Sequence, residues 1–353
     1  MVTTLGITST WAAARGDAPA KVATAKLSRT AFDQALDAVL SRYYEPVDEA
    51  KLLSAGLRAI LAELDPHTHF VSAAERKALR ERMSGGTTGM SVALRKDDRS
   101  SRLEVLAVAP GSPAEKSGVR PGDHLVRIGQ REVEELRSQI DAELLLAGAV
   151  GDEVALFVQS PDGDGPREIE IVLEKPRGQN VEHAVVELAD GRKVVHVVLR
   201  RFSSESGDAI KRAIEKRKRV LAGDLAGIVI DLRGNPGGEV SQALVIADMF
   251  VPGGVLTRTR GRGGKILREE SAHAQGTDEQ TPLVILQDRH SASASELLAA
   301  ALQDYGRAKI VGERSYGKGT VQEVLGLPDG SVATFTIARY FSPKDRAIDG
   351  TGV

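Results

Sequence analysis

Between residues 193 and 305, runs of strand length alternate with longer amphipathic runs. These are Lys193–Leu199, a helical stretch near Asp208–Leu221, Gly227–Leu232, a helical stretch near Val240–Phe250, Pro282–Gln287, and then Leu297, Leu298, Ala301, Leu302 and Tyr305 at helical spacing. Few folds satisfy that order, and it predicts an α/β core. Ser291-Ala292-Ser293-Ala294-Ser295-Glu296 joins the last strand to the last helix. A serine in such a turn stands at a helix N-terminus, where unpaired N–H groups and the positive end of the dipole favour a developing oxyanion. Ser293 with Glu296 also reads as a capping box, and a serine at such a site more often caps than catalyses.

Upstream the periodicity differs. Phe32, Ala35, Leu36, Val39, Leu40 and Tyr43, then Leu53, Leu57, Ile60, Leu61 and Leu64, recur at helical spacing on either side of Pro46 and predict an antiparallel helix pair. Asp65-Pro66 stops the second helix, and Ser72 with Glu75 caps a third running to about Met83. This helical region reads as scaffold or as a contact between two copies of the chain. From Ser84 short runs follow, Met90–Leu94, Leu103–Val108, Leu125–Ile128, Val154–Val158 and Glu168–Leu173, with one helix near Leu136–Leu146 and glycine, proline and aspartate turns between. They predict a small β domain.

In a chain of 353 residues, 41% apolar and 27% charged residues point to a globular protein of two or three modules. A formal charge of -2 offers no overall field for a phosphate backbone, so nucleic acid is not the expected partner. The absence of cysteine excludes disulfide frameworks, thiolate zinc sites and cysteine nucleophiles. Residues 1–27 read as a flexible leader, with an apolar and alanine-rich stretch but no basic region ahead of it. No run approaches the ~18 apolar residues of a membrane-spanning helix. Lys211, Arg212, Lys216, Arg217, Lys218 and Arg219 fall opposite Ile210, Ala213 and Ile214, and read as the solvated face of one helix.

A nucleophilic serine needs a base. His290 is close in sequence, but closeness alone makes no dyad. Lys318 lies in Ser315-Tyr316-Gly317-Lys318-Gly319-Thr320-Val321-Gln322, between glycines that allow tight backbone approach. A lysine serves as base only when neutral, which a desolvating apolar environment favours. Gln322 could orient the amine without adding charge, given a bend that Gly319 could supply, since four residues of straight strand span ~13 Å.

Two resemblances follow from these residues. Pro110-Gly111-Ser112-Pro113-Ala114, Gly118-Val119-Arg120-Pro121-Gly122-Asp123 and Gly89-Met90-Ser91-Val92 resemble the core of a PDZ domain, with Ser91 where the carboxylate-binding loop usually has its second glycine. With Leu64-Asp65-Pro66-His67, Asp231-Leu232-Arg233-Gly234-Asn235-Pro236-Gly237-Gly238, the Ser291–Glu296 run, Gly317-Lys318-Gly319 and Asp329-Gly330-Ser331, nearly the whole chain resembles the C-terminal-processing (tail-specific) serine peptidases. The resemblance implies a multi-domain α/β fold: leader 1–27, helical region 28–83, PDZ-like domain 84–176 and a crotonase/Clp-like protease core 177–353. It further implies Ser293 as nucleophile, Lys318 as general base and Gln322 as the residue positioning it. By the same resemblance Gly238 and Ala294 are expected to supply oxyanion N–H groups, with Gly237 a competitor of Gly238, and Gly89, Met90, Ser91 and Val92 are expected to bind the peptide tail. Asp304 is implied as support at a helix end. The implied partners are protein or peptide substrates with a free C-terminus, a second copy of the chain through the N-terminal helices, and an activating adaptor of unspecified kind. The implied compartment is the bacterial periplasm or cell envelope.

No cofactor is expected, because acyl transfer through a serine ester needs none. His67 and His69 form a short loop pair without further ligands, so no metal is expected either. Gly312 to Lys318 has P-loop spacing, but Gly319 replaces the magnesium-binding hydroxyl and a strand-like run follows where a helix should begin. The rival in another class is a non-proteolytic relative of the same fold that binds a ligand or peptide. The joint presence of Ser293, Lys318 and Gln322 favours the enzyme.

Overall fold

The computed structural model describes residues 27–65, 67–77, 92–97, 102–108, 111–136, 139–163, 165–174, 180–273 and 276–353. It divides into two compact units, Met1–Ala55 and Gly56–Val353. The first holds α1 (Arg29–Arg42) and the start of α2 (Glu49–Ala62). Ser28 caps α1 by accepting from the Ala31 N–H at 3.1 Å, and neither helix buries a residue. In the second unit Asp65 turns the chain by accepting from the His67 N–H at 2.8 Å and the Thr68 hydroxyl at 2.9 Å. The strand β1 (His69–Val71) and a short helix α3 (73–77) follow. The Ser72–Glu75 capping box is present, whereas the rest of the expected third helix lies outside the described residues, as does the leader before Leu27.

A six-stranded antiparallel sheet forms the small β domain. Its strands are β2 (Val92–Asp97), β3 (Arg102–Val108), β4 (His124–Ile128), β5 (Arg131–Glu132), β6 (Glu153–Gln159) and β7 (Arg167–Val172), with α4 (Pro113–Lys116) after β3 and α5 (Gln139–Leu146) after β5. The order is β2-β3-β4-β6-β7, and β5 pairs with β4. Alternation sends Leu103, Val105, Leu156, Val158 and Ile171 into one apolar core, which Leu125 and Ile128 both join because the pairing of β4 slips between Leu125 and Arg127. The Pro121-Gly122-Asp123 turn is locked because buried Asp123 accepts from the Arg120 N–H at 2.9 Å and the Ser160 hydroxyl at 2.7 Å. Of the expected helix at 136–146, residues 139–146 form α5 and Leu136 is extended after a 3₁₀ turn at Val133–Glu135, while residues 137 and 138 lie outside the described residues.

Two further sheets form the core. The first comprises β8 (Val181–Glu187), β9 (Lys193–Leu199), β10 (Leu225–Asp231), β13 (Leu283–Gln287) and β14 (Ala308–Gly312). In the order β14-β13-β10-β9-β8 all neighbours are parallel except β8 with β9. Helices α6 (Ser206–Leu221), α7 (Val240–Asp248) and α8 (Ala294–Asp304) connect its strands, and Val195, Val197, Ile228, Ile230 and Ile285 pack in one cluster with Ile210, Ile246, Leu298 and Leu302. The second sheet runs β1-β16-β11-β12, with β15 antiparallel to β16 along residues 332–339. Its remaining strands are β11 (Gly254–Gly261), β12 (Ile266–Ala272), β15 (Thr320–Gly326) and β16 (Val332–Phe341).

Sequence periodicity does not announce β8, β11 or β12. In β11 the buried side chains include Thr257 and Thr259, and the Thr257 hydroxyl donates to the Phe341 carbonyl at 2.8 Å, so part of the inward face is polar by composition. Residues 69–71, placed by sequence within a helical region, belong to this core sheet.

Candidate active site

In an open parallel sheet the loops beyond the carboxyl ends of the strands form the binding crevice. The loops after β9, β10, β13 and β14 all leave from that edge and carry Phe202, Gly234–Glu239, Asp288–Ser293 and Glu313–Gly319.

The loop after β10 is held from within. Fully buried Asn235 donates from Nδ2 to the Leu199 carbonyl at 2.8 Å and accepts from the Gly237 N–H at 2.9 Å. Its own carbonyl accepts from the Ala292 N–H and the Ser295 hydroxyl, each at 3.0 Å, joining this loop to the serine turn. Below it, burial alone would raise the Asp231 carboxyl, but hydrogen bonds from the Arg233 side chain and N–H hold it below the usual carboxylate range. Asp288 closes the other side, accepting from the Gly234 and His290 N–H groups at 3.0 Å.

Ser293 is half-buried and has φ 56° and ψ -113°. A side chain in that left-handed region is strained and is kept there only by its surroundings. Ser293 and Glu296 stand as a capping box, yet the Glu296 N–H makes its 2.9 Å bond to the Ser293 carbonyl, and the hydroxyl has no side-chain capping bond. Ser295, Leu297 and Glu296 thus find backbone acceptors, whereas the Ala294 N–H has none among the described residues.

A second N–H lies in the same patch. The Phe202 N–H donates to the Gly237 carbonyl at 3.0 Å and the Phe202 carbonyl accepts from the Glu239 N–H at 3.1 Å, a parallel bridge that steps over Gly238. The Gly237 N–H is committed to Asn235, while that of Gly238 meets no acceptor among the described residues. A Cβ on Gly237 would lie 2.7 Å from the Ala292 carbonyl oxygen and 2.9 Å from Ser293 Cβ, so only glycine lets this loop approach the turn.

Half-buried Lys318 belongs to a loop clasped on two sides. The Glu296 carboxylate accepts from the Lys318 N–H at 2.8 Å, the Gly317 N–H at 2.5 Å and the Ser315 hydroxyl at 2.6 Å, as well as from the Ser293 N–H at 2.8 Å. Burial pushes the Glu296 carboxyl above its ordinary value, against the pull of those four bonds. On the other side Gly350 donates to the Gly317 carbonyl at 2.9 Å, and a Cβ on Gly319 would lie 2.3 Å from the Asp349 nitrogen. Gly319 is therefore required by close approach. The irregularity after Lys318 lies in the β15–β16 pairing, between Val321 and Gln322. Gln322 Nε2 donates to the Thr320 and Thr336 hydroxyls at 2.7 and 3.4 Å, which commits its amide NH2 and leaves its carbonyl oxygen as the acceptor.

The comparisons with known proteins agree with this layout. Residues 193–353 match the model of peptidase family S41, and residues 104–160 that of a PDZ domain. The chain is 34% identical to the C-terminal processing peptidase, chloroplastic, of Tetradesmus obliquus over 88% of its length and 68% of that protein. It is 32% identical to carboxyl-terminal-processing peptidase 3, chloroplastic, of Arabidopsis thaliana over 87% of its length and 60% of that protein. The solved structure of a photosystem II D1 C-terminal processing protease superposes with a TM-score of 0.78 at 32% identity, covering 92% of this chain and 85% of the other. The chain belongs to the C-terminal-processing serine peptidases of family S41.

In this peptidase the fold brings Ser293, Ala294, Gly237 and Gly238 together, and Glu296 links that patch to the Lys318 loop. Gly89, Met90 and Ser91 lie outside the described residues; Val92 opens β2 and pairs with Val108. Asp304 ends α8 and accepts from the Lys344 N–H at 2.8 Å and Arg346 at 2.5 Å. In the sequence Glu296 reads only as a cap, and Asn235 and Ser315 carry no part of their own. The available signal was the polar character of a helix position flanked by Leu297, Leu298 and Ala299, where a buried carboxylate demands donors from elsewhere. No described helix is long and apolar enough to cross a membrane.

Proposed function

We propose that this peptidase is an endopeptidase that cleaves protein substrates near their C-terminus through Ser293 and Lys318, with the PDZ domain reading the tail. The observation that carries the reading is the strained Ser293, set beside two uncommitted N–H donors, Gly238 and Ala294, and tied through Glu296 to the lysine loop. Ser293 Oγ attacks the scissile carbonyl carbon while neutral Lys318 takes the hydroxyl proton. The carbonyl oxygen becomes an oxyanion held by the Gly238 and Ala294 N–H groups. Collapse expels the amine, which receives the proton from the lysine and leaves an acyl-serine ester. Lys318 then deprotonates water, which attacks the ester; the proton returns to Ser293 as the acid product departs. The Gln322 carbonyl oxygen orients the amine without adding charge.

In the PDZ domain, backbone N–H groups at Gly89 to Val92 would hold a free carboxylate, and the groove beside Val92 and α5 would hold the last side chain. The test is kcat and KM for matched peptides ending in a free apolar residue or its amide, together with fluorophosphonate labelling. The free-acid peptide should be cleaved faster, Ser293→Ala and Lys318→Ala should abolish turnover, and His290→Ala should keep most of it. Full activity in Ser293→Ala would overturn the reading, and equal rates for the two peptides would remove tail recognition from it. Export to a bacterial envelope, and pairing of two copies through the exposed Phe32, Val39, Leu53 and Ile60, belong to the same proposal. Fractionation of cells and sedimentation of the purified chain decide them.

A further inference from the structure

Capping a helix needs one carboxylate oxygen near one or two N–H groups at the surface. Glu296 departs from that on every count, being fully buried and meeting two donors at each oxygen. A carboxylate is costly to bury unless donors surround it, and three of these four come from the lysine loop. The Tyr316 N–H adds a 3.0 Å bond to the Ser291 carbonyl. Thus the Ser293 backbone and the Lys318 backbone are both bonded to one oxygen, Glu296 Oε2, each at 2.8 Å.

Ser315 extends this brace to a third segment. Its hydroxyl donates to Glu296 Oε1 at 2.6 Å and accepts from the Val353 N–H at 2.7 Å, while its N–H donates to the Val353 carbonyl at 3.2 Å. A Cβ on Gly352 would lie 2.5 Å from the Ser315 carbonyl oxygen, so the Gly350–Val353 turn packs directly on this residue. The lysine loop is therefore clamped between the start of α8 and that turn, with Glu296 and Ser315 making the polar contacts across it.

We propose that Glu296 and Ser315 are positioning residues that set the register between Ser293 and Lys318, an inference that rests on the serine–lysine reading above. Neither touches the substrate. Each acts on the alignment needed for proton transfer, where a displacement of about 1 Å can cost about 100-fold in rate. A glutamine at 296 keeps the size but turns an NH2 group toward two donors, so one pair of bonds is lost whichever way it faces. An alanine at 315 removes one of the four donors and the acceptor of the Val353 N–H.

The experiment measures kcat, KM, the rate of fluorophosphonate labelling and the urea unfolding curve on the full chain, for Glu296→Gln, Ser315→Ala and the double variant beside Ser293→Ala. Glu296→Gln should lower kcat and the labelling rate together by about 100-fold, and Ser315→Ala by about 10-fold, with KM within about twofold and a cooperative unfolding curve retained. Because both act through one network, the double variant should be no slower than Glu296→Gln alone. Should Glu296→Gln not fold, Ser315→Ala carries the test. Unchanged kcat in Ser315→Ala and Glu296→Gln, a loss confined to KM, or losses that multiply in the double variant would overturn the proposal. If Ser293→Ala is inert while Glu296→Gln turns over normally, this inference alone fails; if Ser293→Ala remains active, the serine–lysine reading fails first.

Discussion

Replacing Ser293 by glycine should make the protein more stable than replacing it by alanine, although both variants should be inactive on the serine–lysine reading proposed above. The two substitutions remove the same hydroxyl and differ only in Cβ. At φ 56° and ψ -113° a Cβ is strained, and such conformations cost about 1–3 kcal/mol in a residue other than glycine. Glycine relieves that strain but loses about 0.4–1 kcal/mol through the greater freedom of its unfolded chain. The balance leaves Ser293→Gly more stable by roughly 0.5–2 kcal/mol. Equilibrium urea unfolding reads this as a higher midpoint at equal slope. A midpoint for Ser293→Gly at or below that of Ser293→Ala would show that the turn carries no backbone strain at residue 293 and that strain does not hold the proposed nucleophile in place.

Two further outcomes are expected. Gly238→Ala places a Cβ 2.1 Å from the Phe202 carbonyl oxygen at φ 136°, so the loop must move and its N–H leaves the proposed oxyanion position; kcat should fall by about 100-fold or more, and near-normal turnover would count against that donor. The second concerns pH. Because burial raises the Glu296 carboxyl, the folded protein holds that proton more tightly than the unfolded chain does. Its contribution to stability is fully present below the unfolded carboxylate range and is lost as pH rises through the raised folded value. The unfolding free energy of the wild type relative to Glu296→Gln should therefore grow as pH is lowered from about 7 toward about 4, and a flat difference would contradict the assignment of the shift to burial.

The serine turn is legible because an apolar strand, a short polar turn and an apolar helix occur in immediate succession, and local pattern alone specifies them. The same holds for β9 and α6, whose observed bounds lie within two residues of those expected. What escapes is set by partners remote in sequence. Glu296 reads as a cap because the donors that reveal its second task lie 19 to 22 residues downstream. Gly237 and Gly238 are equivalent as letters, and only the Asn235 side chain and the Phe202 backbone distinguish a committed N–H from an uncommitted one. Gly319 looks like a hinge, yet its lack of a side chain answers to Asp349, and the irregularity that places Gln322 is a slip in pairing with β16. β12 hides because it is a largely exposed edge of its sheet and carries Arg268, Glu269 and Glu270.

The pairing of β1 and β15 with the same strand, β16, has a consequence for biosynthesis. The Thr336 N–H donates to the Thr68 hydroxyl across 268 residues of chain, and the strand following Lys318 pairs with β16. Synthesis and export deliver a polypeptide from its N-terminus, and contacts of this range form last. As a hypothesis, a chain still emerging from the ribosome or a translocon carries its serine turn before its base has a place to sit, so it is proteolytically silent until nearly all of it has arrived. Fluorophosphonate labelling of nascent chains arrested before Val332 would contradict this. On that hypothesis the late arrival of β16 would by itself keep the serine turn and its proposed base apart, so the order of synthesis would act as a safeguard for neighbouring proteins.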